Sequence, residues 1–262
     1  QSGEVLLKTG SGGDGAGDLR LEVGSTLGSV NGGNLILSAG ESAGNGGMVS
    51  VVSGQSSSTT SGAVLIQTAD SAGTSGVVTI KSGKTLAAGG PSGTVSVSSG
   101  EAEGPGASSG SFHVGSGQAD GSAGGVTLSA GSTGSETGAT TAVSAGASLA
   151  ATGGSLVLQS GKGETSSGSV TLQSPNAGNT GGDSGAVAVS SGKATGGSSG
   201  ALDIFTGDSI DGAGGDVRIK VGGGDTGVGG NMIMAAGETL SADESGGNVL
   251  LTSGAGLSRS GM

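Results

Sequence analysis

Cysteine, tryptophan and tyrosine are absent from this 262-residue chain, phenylalanine occurs twice and proline three times. Without cysteine there is no disulfide and no thiolate-held metal, although this leaves the redox compartment open. So few bulky groups leave too little material for an ordinary globular core. No run of about 18 apolar residues is present, so no membrane span is expected. No basic-then-apolar leader precedes the first residues, and Gln1-Ser2-Gly3-Glu4-Val5 falls directly into a repeat, as in a mature, trimmed or excised chain. Positive charge is scarce as well: 9 Lys and Arg stand against 20 Asp and Glu, a net charge of -11. The few cations are scattered, whereas phosphate backbones need a basic stripe, so no nucleic-acid partner is expected.

Glycine is what the chain has, 64 residues of it. Glycine and serine at this density ordinarily make flexible coil. Against that stands a recurring phrase, clearest in Gly33-Asn34-Leu35-Ile36-Leu37-Ser38-Ala39-Gly40. It places Leu35, Leu37 and Ala39 on one face and Asn34, Ile36 and Ser38 on the other, the period of a strand. Copies start at 3, 17, 33, 47, 62, 76, 93, 110, 124, 139, 154, 168, 185, 200, 215, 230 and 247. That makes about 17 copies at a spacing of roughly 14 to 17 residues. Each copy carries two aliphatic or similar residues two apart, such as Val49/Val51, Leu156/Leu158 and Val249/Leu251, followed by a small third inward residue.

Corners of roughly six to nine residues, rich in Gly, Ser, Thr, Ala and Asp, separate the phrases. Glycine supplies positive φ there and the short polar side chains bond their own backbone, so tight corners are expected rather than linkers. No helical periodicity is present to build crossover helices, and the simplest arrangement of parallel strands is a coil. The expected fold is therefore all-β: a parallel β-solenoid of about 17 short repeats, a single repeat domain over 1–262 that forms a segment of a longer array.

Large aliphatics three positions past the phrase end, at Leu27, Leu86, Leu149, Ile210 and Leu240, follow even-numbered repeats. This favours two repeats, about 30 residues, per coil. Eight or nine such turns give a rod roughly 40 Å long with two facing sheets. One repeat per turn is a second arrangement, and a three-repeat triangular coil fits the alternation worst. In the two-repeat coil Leu158 faces inward, so Leu158→Asp is expected to cost on the order of several kcal/mol. Leu6, Ile36 and Leu65 form an outward apolar ridge. That ridge, with uncapped ends, implies a homopolymer or a bundle of identical chains.

The Gly-x-φ-x-φ-x-Ser-Gly phrase with Gly/Ser/Thr corners resembles the Gly/Ser-rich solenoid segments of large secreted and cell-surface proteins, in bacterial adhesins and in algae such as diatoms. The resemblance covers Gly3 to Gly254. It implies an extracellular or cell-surface structural module, acting as filament subunit, stalk or adhesive surface. Heads of trimeric autotransporter adhesins are similar in repeat length, but the spacing here varies more.

Catalysis needs convergent groups, and the chain has one His. His113, between Phe112 and Val114, reads as an outward surface residue. Asp203 and Arg218 fall on consecutive repeats, hence on opposite sheets. Asp216, Arg218 and Lys220, like Arg20 and Glu22, alternate along single phrases as solvated charges. No catalytic, cofactor or metal residue is assigned, and no enzyme is expected. Gly12-Gly13-Asp14-Gly15-Ala16-Gly17-Asp18-Leu19 approaches a stacked calcium repeat, but its second Asp comes one place late and only the stretch around Asp211 and Gly214-Gly215-Asp216 is like it. Ice binding is the alternative function, through Thr79, Thr127 and Thr171 on a flat solenoid face. Arg20, Lys81, His113, Asp203 and Phe205 interrupt that rank of threonines.

Overall fold

A strand phrase becomes a strand only when its backbone groups and its apolar face find partners. The structure of this chain, a computed structural model, describes residues 3–13, 15–28, 30–134, 136–178 and 181–256. Among them there is no helix and no β-strand. This overturns the all-β reading: the parallel solenoid, its two-repeat coil, its facing sheets and the rod are all absent from the described residues. The residues group into two units, Gln1–Leu128 and Ser129–Met262, and the division cuts through the phrase that starts at Gly124.

No described residue is buried. The accessible area is 25747 Å², whereas a compact chain of 23.7 kDa exposes about 9,800 Å². Leu158, expected between two sheets, is 77% exposed, so the large penalty expected for Leu158→Asp loses its basis. The apolar ridge of Leu6, Ile36 and Leu65 is open to solvent, but so is every aliphatic pair, and the ridge is not distinctive. The physical reason lies in the composition. Each repeat must order about 15 residues, at about 1–2 kcal/mol of backbone entropy apiece, to bury two aliphatic side chains. Glycine raises that cost above the average. Only a full ladder of strand hydrogen bonds between turns could offset it, and the described residues form none.

Local order sits at the junctions between phrases rather than at the aliphatic pairs. In the first unit Gly47 donates its N–H to the Gly40 carbonyl at 2.9 Å, and Gly62 does the same to Gly54 at 2.9 Å. In the second unit the pairs are Gly154 to Gly146 at 2.8 Å, Gly168 to Gly161 at 2.9 Å and Gly247 to Gly237 at 2.9 Å. Each bond ties the first residue of one phrase to the last of the phrase before it and closes the corner. The approach is close: a β-carbon on Gly47 would lie 3.2 Å from Ala39 Cβ and 3.2 Å from the Gly40 nitrogen. A side chain there would push the neighbouring backbone by a few tenths of an ångström.

The residues most shielded from solvent trace the same junctions. Thr9, Ser53, Thr68, Ser82, Ser160 and Ser174 are half-exposed third inward residues, where the next phrase returns. The other half-exposed residues, Ser56, Thr85 and Ala194, stand two places after a closing glycine. That second position is a recurrent cap. Ser42 accepts the Gly44 N–H at 3.0 Å, Ser56 the Thr59 N–H at 2.9 Å, Ser148 the Ala151 N–H at 2.9 Å and Thr239 the Ser241 N–H at 3.2 Å. The expectation of corners closed by their own short polar side chains therefore holds, although the strands between them do not form.

Candidate functional site

The corner aliphatics follow a hydroxyl residue directly, in Thr26-Leu27, Thr85-Leu86, Ser148-Leu149, Ser209-Ile210 and Thr239-Leu240; Ser148 and Thr239 accept a backbone N–H, whereas Thr26 and Thr85 donate to the Val30 and Pro91 carbonyls. The aliphatics point to solvent, the least exposed being Leu86 at 87%. No coil interior lies behind these corner aliphatics among the described residues.

Three clefts lie at corners of the first unit. One, ≈ 560 Å³, is lined by Lys81, Ser82, Gly83, Lys84, Thr85, Gly90 and Ser92. The next, ≈ 550 Å³, is lined by Ser99, Gly100, Glu101, Ala102, Glu103, Ala107 and Ser109. A third, ≈ 420 Å³, lies at Glu41, Ser42 and Ala43. One cleft is therefore cationic and the other two carry only carboxylates.

A side-chain bridge and a turn close the lysine cleft. The Thr85 hydroxyl donates to the Pro91 carbonyl at 2.7 Å, across the mouth of the corner. The Gly90 N–H donates to the Ala87 carbonyl at 3.4 Å. Gly89 takes φ 76°, the left-handed region that such a turn requires at its third residue. A β-carbon at Gly90 would come within 3.0 Å of Thr85 Cγ2, so the wall of the cleft is already at contact distance.

The residues singled out in the sequence do not converge. His113 is exposed, and a β-carbon on Gly115 would lie 3.1 Å from its Nε2, so the ring lies over its own phrase. Arg20 pairs with Glu22 at 3.2 Å, and Arg218 pairs with Asp216; these are the ion pairs among the described residues, each within a single phrase and exposed. Asp203 and Lys220 take part in neither. Asp14 lies outside the described residues, as do Leu257 and the tail through Met262. Asp211 adopts φ 59°, a left-handed conformation that Asp tolerates better than most side chains. Among the described residues no group of three or more His, Cys, Asp or Glu is placed to hold a metal ion.

No protein family, curated protein or solved structure matches this chain. Among the described residues no helix is long and apolar enough to cross a membrane.

Sequence reading missed the lysine cleft, although a signal for it was present. Between Asp70 and Glu101 the chain has no carboxylate, and Lys81 and Lys84 are the cations of that interval. In a chain of net charge -11 this is a local reversal of sign.

Proposed function

We propose that the chain is a structural, self-associating repeat segment of the cell exterior, used in a filament, a stalk or an adhesive surface and assembled from identical chains. The observation that carries this reading is the uncovered state of the aliphatic pairs in the described phrases, from Val5/Leu7 to Val249/Leu251. Monomeric soluble proteins keep contiguous apolar patches to a few hundred Å². Here the excess over a compact chain is about 16,000 Å² in total, many times the 1,200–2,000 Å² that a standard interface buries. A surface repeated with a period of roughly 15 residues is matched best by another surface of the same period, which is a second copy. The extracellular location rests on the resemblance of the repeat phrase to secreted and cell-surface segments. Ice binding loses its support, because it needs a flat face of stacked strands and no strand forms among the described residues.

Sedimentation velocity over a range of chain concentrations tests the assembly. Mass is expected to grow with concentration. Replacing Val170, Leu172, Val187, Val189, Leu202 and Ile204 by serine is expected to raise the concentration needed at least tenfold. A chain that stays monomeric throughout, or serine variants that assemble unchanged, would remove this reading.

A further inference from the structure

We propose that the corner at 81–92 is a binding site for divalent oxyanions, phosphate or sulfate groups, held by Lys81, Lys84, Ser82 and Ser92. Four observations converge on this corner. Its cleft is lined by two lysines and by no carboxylate, whereas the other two described clefts carry Glu41 or the pair Glu101 and Glu103. Neither lysine forms an ion pair among the described residues, so both ammonium groups keep their donors free for a ligand. Ser82 and Thr85, which line the cleft, are among the few half-shielded residues of the chain, and Lys81, Lys84 and Ser92 stand exposed around them. The corner is also preformed, by the Thr85 bond to Pro91 and the turn through Gly89. Little ordering is left for a ligand to impose.

The donor census narrows the ligand. The Thr85 proton is committed to the Pro91 carbonyl, so that hydroxyl presents only lone pairs to the cleft. Donors come from Lys81, Lys84 and the hydroxyls of Ser82 and Ser92, which have no other partner among the described residues. Two ammonium groups match two negative charges, and hydroxyl donors favour an oxygen acceptor over a halide. Gly83-Lys84-Thr85 shares its last residues with nucleotide phosphate loops. Val78 stands where such a loop has its first glycine, and no strand or helix flanks the segment among the described residues. The site therefore fits an isolated phosphate or sulfate group and not a nucleoside triphosphate.

The test is a titration of the full, dilute, isotope-labelled chain followed by amide chemical shifts in 150 mM chloride. One arm uses inorganic phosphate and the other a disaccharide carrying two sulfate esters. Saturable shifts are expected at residues 81–85 and 90–92 and not at 99–109. The variant K81Q/K84Q is expected to raise the half-saturation concentration at least tenfold, and K81R/K84R to leave it within about threefold. Saturation by phosphate identifies a free ion as sufficient, and saturation by the disaccharide alone identifies a sulfated glycan. Shifts that spread evenly along the chain, fail to saturate in both arms or survive in K81Q/K84Q overturn the proposal. Binding is read on the dilute chain, so the outcome does not depend on whether copies assemble.

Discussion

The corner after Gly83 and the corner after Gly100 each use nine residues, 84–92 and 101–109, to join one phrase to the next. Both make a four-residue turn four places past the closing glycine. Gly90 N–H meets the Ala87 carbonyl at 3.4 Å in the first, and Ala107 N–H meets the Gly104 carbonyl at 3.2 Å in the second. In both turns the third residue is glycine with φ 76°, at Gly89 and Gly106. Pro105 precedes Gly106 at the position where a fixed φ suits a type II turn, and Ala88 stands in its place in the first. The differences lie at the first turn residue, where Gly104 takes φ 107° and Ala87 has no positive φ, and in the residues just past the closing glycine: Lys84-Thr85-Leu86 against Glu101-Ala102-Glu103. The backbone of a corner is thus set by where its glycines fall, and its chemistry by the next three side chains. The two can vary independently, which lets one repeat present a cationic cleft and the next an anionic one.

The largest effect is expected from breaking what the corners share. Valine at φ near 76° is strained by about 1–3 kcal/mol. Gly89→Val and Gly106→Val should each lower the population of their own turn at least about fivefold. Faster amide exchange at Gly90 in the first variant and at Ala107 in the second would report it. If only one corner responds, the common turn is not what sets the two backbones.

A smaller effect should separate them. Thr85→Val removes the hydroxyl that bridges to Pro91 and keeps the shape, a loss of about 0.5–1.5 kcal/mol for one hydrogen bond. Amide shifts of residues 84–92 should move toward coil values while those of 101–109 stay fixed. The reverse transplant, Ala102→Thr, places a hydroxyl two residues past Gly100 and should slow proton exchange in its own corner by bonding the Ser108 carbonyl. Unaltered shifts in Thr85→Val would mean that the bridge contributes nothing and that glycine alone closes the cleft.

These corners also mark how far the sequence was legible. Their position, their tightness and their use of Ser and Thr follow from local chemistry, since a hydroxyl at Ser148 reaches the Ala150 and Ala151 amides without help from distant parts of the chain. The strands were not legible in the same way. Alternation in Leu156-Val157-Leu158 states a preference for a pleated, half-covered surface, and the cover must come from elsewhere. Leu156 and Leu158 stay 53% and 77% exposed because no neighbouring phrase supplies that cover. The cleft was missed because charge was read along the whole chain, where Lys81 and Lys84 vanish into an excess of acid, and not over the acid-free interval that contains them.

The smallest effect concerns the glycines that open the following phrases, Gly93 and Gly110. Both have room, since an added β-carbon would lie 3.6 Å from Ser82 Cβ at Gly93 and 4.0 Å from Ser99 Cβ at Gly110, ordinary contact distances. Neither has a left-handed φ, so alanine fits both the space and the backbone. Gly93→Ala and Gly110→Ala are each expected to shift the stability of their corner by no more than about 0.5 kcal/mol. Gly47→Ala is the contrasting control. Its new methyl would meet backbone at 3.2 Å and weaken the 2.9 Å bond from Gly47 to Gly40. Amide exchange at positions 47, 93 and 110 in the three variants should therefore accelerate at the first alone. Equal acceleration at all three would show that opening glycines matter for chain flexibility rather than for close approach. The lysine and glutamate corners would then owe their likeness to flexible joints on either side, and the turn glycines at 89 and 106 would be left as the sole fixed points.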